Sequence, residues 1–176
     1  GWMKRILVPA AGLILLLSPA LRADDGSAVS RGCIDAGVGI VDITPLEPVA
    51  LAGSPTPLKS SSVGTRLYVK ALVLSTGRQK VAVVALDTLK YPVEHAVRAR
   101  RQIGKTAGIR AENVVLCASH THRGPLWSHY PDQLATPNTE AVTAAVRDLS
   151  PCRLVTAKGT AQGVSECRRV NQSGQA

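Results

Sequence analysis

Phenylalanine is absent from this 176-residue chain, and aromatic residues together make up only 3% of it. A core must therefore be assembled from Val, Leu, Ile and Ala, without large ring side chains to fill gaps. The four cysteines, Cys33, Cys117, Cys152 and Cys167, form no C-x-x-C pair. That spacing excludes a structural zinc module of the finger type. No G-x-S-x-G segment occurs, so the serine elbow of an α/β-hydrolase esterase has no carrier. Basic residues outnumber acidic ones, 21 to 12, yet they are scattered. Arg98, Arg100, Arg101 and Lys105 read as the solvated face of one helix. Nucleic-acid recognition needs clustered charge on a recognisable module, and the chain offers neither. It also has no internal repeat and no low-complexity tract.

What is present begins with an export signature. Met3 is followed by Lys4 and Arg5, an apolar run from Ile6 to Leu17, and small residues at Ser18, Ala20 and Ala23. A charged start, a short apolar centre and a small-residue exit make residues 1–23 a secretory signal peptide. The run is too short to span a bilayer comfortably as a retained anchor. The expected destination is secreted or periplasmic, and the compartment is then oxidising. Four cysteines allow three pairings, which spacing leaves open. Cys117, inside an apolar run, reads equally as a buried thiol or half of a disulfide.

Residues 24–176 are long enough for one domain with a real core. Ile34 to Thr44 reads as a first strand, ended by Pro45. Leu46 to Gly64, rich in Pro, Ser, Thr and Gly, reads as a long loop. Arg66 to Ser75 and Lys80 to Asp87 are apolar strands, and Thr76-Gly77-Arg78 between them predicts an antiparallel hairpin. Glu94 to Thr106 has helical spacing and stops at Gly108. Val114 to Ala118 is a short buried strand. Asn138 to Leu149 reads as a second helix, with Asn138 as its cap and Glu140 in its first turn. Cys152 to Ala157 and Thr160 to Ser165 read as strand segments. The order β-β-β-α-β-α-β predicts an α/β fold, a mixed β-sheet sandwiched by helices. Arg168 to Ala176 adds no closing element, so the sheet is expected to be incomplete at the C-terminus, as in a fragment of a longer domain.

The chemistry concentrates in Asn113 to Pro125, N-V-V-L-C-A-S-H-T-H-R-G-P. The strand Val114–Ala118 runs into two histidines one residue apart, His120 and His122, before the turn at Gly124-Pro125. Side chains at i and i+2 of an extended segment point the same way, so both imidazoles are expected to face one point beyond the strand end. Open α/β sheets bind ligands at the carboxyl ends of their strands. Two imidazoles there suggest a metal, zinc above all, with nitrogen ligands at roughly 2.0–2.1 Å. The plain alternative is a strand end capped by histidines hydrogen-bonded to loop backbone. Asp87 ends a strand nearby and is either a carboxylate that orients a histidine or a surface turn residue. His129, in the Trp-Ser-His-Tyr-Pro loop, reads as an exposed loop histidine, with recruitment by a metal as the alternative, and His95, opening the basic helix, reads as solvent-facing. Asp42 reads as the cap of the turn into Pro45.

The chain resembles the N-terminal catalytic domain of the neutral/alkaline non-lysosomal ceramidase family. The resemblance rests on G-I-V-D-I-T-P at Gly39–Pro45, Leu51-Ala52-Gly53, and R-L-Y-V-K-A-L-V-L at Arg66–Leu74. V-A-V-V-A-L-D at Val81–Asp87, Glu112-Asn113-Val114-Val115 and the H-T-H-R-G-P segment complete it, in family order. It spans Gly37 to Arg169. It implies that His120 ligates zinc (Zn2+), that His122 is the catalytic group beside it, and that Arg168 binds substrate. It further implies hydrolysis of an N-acyl amide in a ceramide-like lipid, ceramide giving sphingosine and a fatty acid. The partner is then a lipid substrate, with a membrane surface as one place to meet it, and neither nucleic acid nor an obligate protein partner. Three departures stand out. Arg123 occupies the place of the family's usual Ser, Cys167 that of an Asn, and the remaining family ligands (another His, a Glu and a Tyr) belong to regions downstream. The fragment alone is therefore expected to be inactive. The alternative is a non-catalytic exported module that binds a lipid or glycan.

Overall fold

Alternation decides the central strands. In Tyr68–Ser75 every second residue, Val69, Ala71, Val73 and Ser75, is buried, and in Lys80–Leu86 so are Ala82, Val84 and Leu86. These strands, β2 and β3, form the expected antiparallel hairpin, with Ser75 opposite Lys80. Gly77 turns it at φ 84, and the Thr76 N–H donates to the Gln79 carbonyl at 3.0 Å. The computed structural model describes residues 34–126, 131–155 and 157–163 of the chain. The expected signal peptide, Cys33, His129, Cys167 and Arg168 lie outside the described residues.

β1, Ile34–Asp42, pairs antiparallel with β2 over its whole length beyond Ile34. Helix α1, Val93–Ala107, carries the chain from β3 to β4, Val114–Ala118, which lies parallel to β3. A parallel pair requires such a crossover. Gly108 closes α1 in the left-handed region at φ 65, its N–H bonded to the Gly104 carbonyl at 3.1 Å, as a glycine past a helix end does. Helix α2, Ala135–Arg147, is followed by a short strand, β5, Ser150–Cys152, antiparallel to β1. The mixed sheet has the order β4-β3-β2-β1-β5. With two helices on an open mixed sheet, the chain has an α/β fold.

The core is aliphatic, as the lack of Phe requires. Val69, Val73, Val84 and Leu86 of the sheet, with Ile103 of α1 and Val142 of α2, are fully buried. Each such side chain is stabilised by about 1.5–3 kcal/mol relative to exposure. α2 lies unusually close to β1. A Cβ at Gly39 would come within 1.9 Å of the Ala141 carbonyl oxygen, and one at Gly37 within 2.0 Å of that of Ala145. Beyond the end of β5, the Asp148 carboxylate accepts the Val38 N–H at 3.0 Å. It stands in for the ladder partner that the short strand does not supply.

Several expected boundaries move. The first strand ends at Asp42, because the Asp42 carboxylate accepts the Thr44 N–H at 2.8 Å and turns the chain there; this is the cap the sequence suggested. The second helix begins at Ala135 rather than Asn138, entered through a 3-10 turn, Pro131–Leu134. Pro137 is tolerated because the first helical turn needs no N–H partner there. Asn138 is fully buried instead of capping, and its amide lies 3.4 Å from the Tyr91 hydroxyl. The strand expected from Cys152 is only β5, and residues 160–163 form no strand. The compact unit that holds the sheet ends at Cys152, and Arg153 onward belongs to a second unit. The described residues of that unit, 153–155 and 157–163, are exposed and belong to no helix or strand.

The helices cover one face of the sheet. The other carries an exposed apolar row across four strands, with Val38, Leu72, Val83 and Val115 successively opposite one another. Leu72, Val83 and Val115 are 38–43% exposed. Cys117 opens onto this face and is a free thiol, so the buried reading of it does not hold. Cys152 is also free. His95 differs from its expectation in the opposite sense. Its side chain is only 15% exposed, held beside Tyr91 and 2.5 Å from the Arg98 guanidinium.

Candidate functional site: two imidazoles beyond parallel strand ends

β3 and β4 are parallel neighbours, so their carboxyl ends lie side by side and the segments leaving them run together. The Ser119 N–H donates to the Leu86 carbonyl at 2.9 Å, and the Thr121 N–H to that of Thr88 at 3.1 Å. A third segment, Ala50–Gly53, comes from the long Pro- and Ser-rich loop. It pairs with the chain after the histidines: Arg123 N–H to Ala52 carbonyl at 3.0 Å, Ala52 N–H to Gly124 carbonyl at 2.8 Å, and Leu126 N–H to Ala50 carbonyl at 2.8 Å. The loop holds this place through its own bridge between Ala50 and Lys59. It is ordered structure where the sequence suggested only a connection.

His120 and His122 meet in this three-sided frame. Their rings are edge to face, with centroids 5.1 Å apart. Convergence was expected from strand alternation, but β4 has already ended at Ala118. It comes instead from a loop in which His120 takes φ 57 and Arg123 takes φ 63. Two non-glycine residues in the left-handed region within four positions cost backbone energy, and such strain gathers at functional loops.

Each imidazole is oriented by a backbone carbonyl. His120 Nδ1 lies 2.9 Å from the Leu89 oxygen, and His122 Nδ1 lies 3.2 Å from that of Gly53. A carbonyl oxygen can only accept, so each Nδ1 carries the hydrogen. In the neutral ring the lone pair is then on Nε2. Metal-ligating histidines almost always have their other nitrogen tied in this way. Gly53 is required by its surroundings. It has φ 78, and a Cβ there would fall 2.4 Å from His122 Nδ1. Nothing in Leu51-Ala52-Gly53 marks that contact from sequence, because it spans 69 residues of chain.

Asp87 fixes the frame without touching either ring. Its Oδ2 accepts the Tyr68 N–H at 3.0 Å, and its Oδ1 accepts the Ser119 hydroxyl at 3.1 Å. Ser119 in turn lies 2.6 Å from the Thr121 hydroxyl. Asp87 therefore positions the residue before His120, a role between the two readings the sequence allowed. Both imidazoles are exposed, and so is Arg123. As a metal site the frame fits zinc in kind but holds only part of a ligand set. Among the described residues, no group of three His, Cys, Asp or Glu side chains gathers, whereas catalytic zinc uses three protein ligands and an open position. Among the described residues, no helix is long and apolar enough to cross a membrane.

Among comparisons with known proteins, that with solved structures supports the fold. No protein-family model and no curated protein sequence matches the chain. The fold is similar to that of the solved neutral ceramidase from Pseudomonas aeruginosa, with a TM-score of 0.60 and 20% identity over 69% of this chain and 23% of that one. It is similar also to a ceramidase complexed with C2, with a TM-score of 0.57 and 20% identity over 68% of this chain and 22% of that one. The structural neighbours are thus neutral ceramidases, as the sequence motifs implied, and the chain spans less than a quarter of the length of either.

Proposed function

We propose that this chain is part of a ceramidase-like, zinc-dependent hydrolase of N-acyl amides, acting on a lipidic substrate outside the cytoplasm. The observation that carries the reading is the pair of imidazoles whose Nδ1 atoms are tied to the Leu89 and Gly53 carbonyls, leaving both Nε2 lone pairs for chemistry. The ceramidase fold around them supports the same assignment. His120 would hold the zinc. His122, beside it, would face the substrate and accept or return a proton at Nε2. A bound zinc supplies Lewis acidity toward the amide carbonyl and lowers the pKa of water toward ~7. The hydrolysis adds the hydroxyl of water to the acyl carbon, breaks the C–N bond and sends a proton to the leaving amine. Arg168 is assigned to substrate binding on the family motif alone, and export rests on residues 1–23.

The incomplete ligand set favours a second reading, a non-catalytic exported module that binds a lipid or glycan. The two separate in one assay on the full-length protein, release of fatty acid from an N-acyl sphingosine with and without added zinc. Zinc-dependent release that disappears in His120→Ala and falls at least a hundredfold in His122→Ala supports the hydrolase. Binding of the lipid without release, unchanged by either substitution, supports the module.

A further inference from the structure

We propose that the site takes an acyl amide bearing an anionic oxyacid group, a carboxylate or sulfonate within a few bonds of the amide, and that Arg123 selects it. This rests on the hydrolase reading and names its substrate class. Backbone requirements do not explain an arginine at this position. Its φ of 63 lies in the left-handed region, which favours Gly or Asn. The conformation is imposed by the bonds of Arg123 and Gly124 to Ala52, and any residue there would be forced into it. What Arg adds is its side chain.

That side chain is exposed and, among the described residues, has no carboxylate partner. Two other described arginines do, Arg66 with Asp42 and Arg110 with Glu112. The charge around it is one-signed. Within residues 50–53, 87–90 and 119–126, which frame the site, the only acid is Asp87, and both of its oxygens are already occupied by Tyr68 and Ser119. The second cation is Lys90, exposed and next to Leu89, whose carbonyl orients His120. Two basic residues thus adjoin the segments that carry and orient the imidazoles, and among the described residues of this frame no acid is free to pair with them. A neutral amide gains little from them. A carboxylate gains paired, charge-assisted hydrogen bonds from a guanidinium fork.

The test uses the purified chain and two probes of equal length, anionic N-lauroylglycine and neutral N-lauroylethanolamine. Affinities are measured by calorimetry in zinc-loaded and zinc-free protein, for the wild type, Arg123→Ser and Arg123→Lys. The expected result is a preference of at least tenfold for the glycine conjugate, weakened by salt, reduced in Arg123→Lys and abolished in Arg123→Ser. Equal affinities in the wild type would overturn the proposal, as would failure of the glycine conjugate to bind. A preference seen only with zinc and retained in Arg123→Ser would overturn it too, because the metal would then be holding the carboxylate. Zinc content is measured separately. A wild type that takes up no zinc but keeps the Arg123-dependent preference removes the support for a metal held by this chain and leaves the anion selection standing.

Discussion

Single residues carry the site through backbone contacts that local sequence does not show. The two histidines are legible as a pair because H-T-H follows an apolar strand. The carbonyls that set their tautomers are not, since both come from distant loops. Gly53 makes the point testable. Gly53→Ala places a methyl against His122 Nδ1 and forces Ala into the left-handed region, at a cost of about 1–2 kcal/mol. Amide hydrolysis by the full-length protein is expected to fall about tenfold or more, as for other losses of an orienting partner, with zinc affinity, read by competition with a chromogenic chelator, much less affected. Asp42 offers a pH test. Bonds from Thr44 and the Arg66 guanidinium lower its carboxyl to about 2, below its ordinary value of about 4. A carboxyl depressed by folding contributes stability above the unfolded value and loses it as pH falls toward the folded one. The stability gap between wild type and Asp42→Asn is expected to close between about pH 4 and pH 2, measured by urea unfolding across that range.

At the scale of elements, periodicity reveals what is buried and obscures where it stops. The hairpin β2–β3 and helix α1 with its Gly108 stop were legible, because each has a burial period and a turn residue at its end; β4 was legible as a strand but not as an edge strand, with Val115, Cys117 and Ala118 exposed instead of buried. The start of α2 was not. Asn138 has the chemistry of a cap, but tertiary packing buries it, and the helix grows backwards through Pro137 to Ala135. The glycines of β1 read as interruptions in a strand, whereas they let α2 approach. Gly39→Ala, with a Cβ 1.9 Å from a backbone oxygen, cannot be relieved by rotating a side chain. It is expected to destabilise the fold by about 3 kcal/mol or more through overpacking, measured as a lowered urea midpoint with the α/β circular dichroism spectrum retained.

For the whole molecule, the sheet was legible and its asymmetry was not. The order β-β-β-α-β-α-β suggested helices on both sides of the sheet. The structure places α1 and α2 on one side and leaves Leu72, Val83 and Val115 exposed on the other. A contiguous apolar patch of this kind promotes association. Val83→Lys is expected to reduce dye binding and self-association in light scattering. It should change unfolding free energy by no more than about 0.5 kcal/mol, as at other surface positions.

The central claim is that His120 and His122 form the protein's own part of a zinc site. Its most direct test is the zinc content and affinity of the purified chain, with His120→Ala and His122→Ala measured alongside. One zinc per chain, lost in His120→Ala and retained more weakly in His122→Ala, is the predicted result. A wild type that binds no zinc, or binds it equally well without His120, would contradict the account.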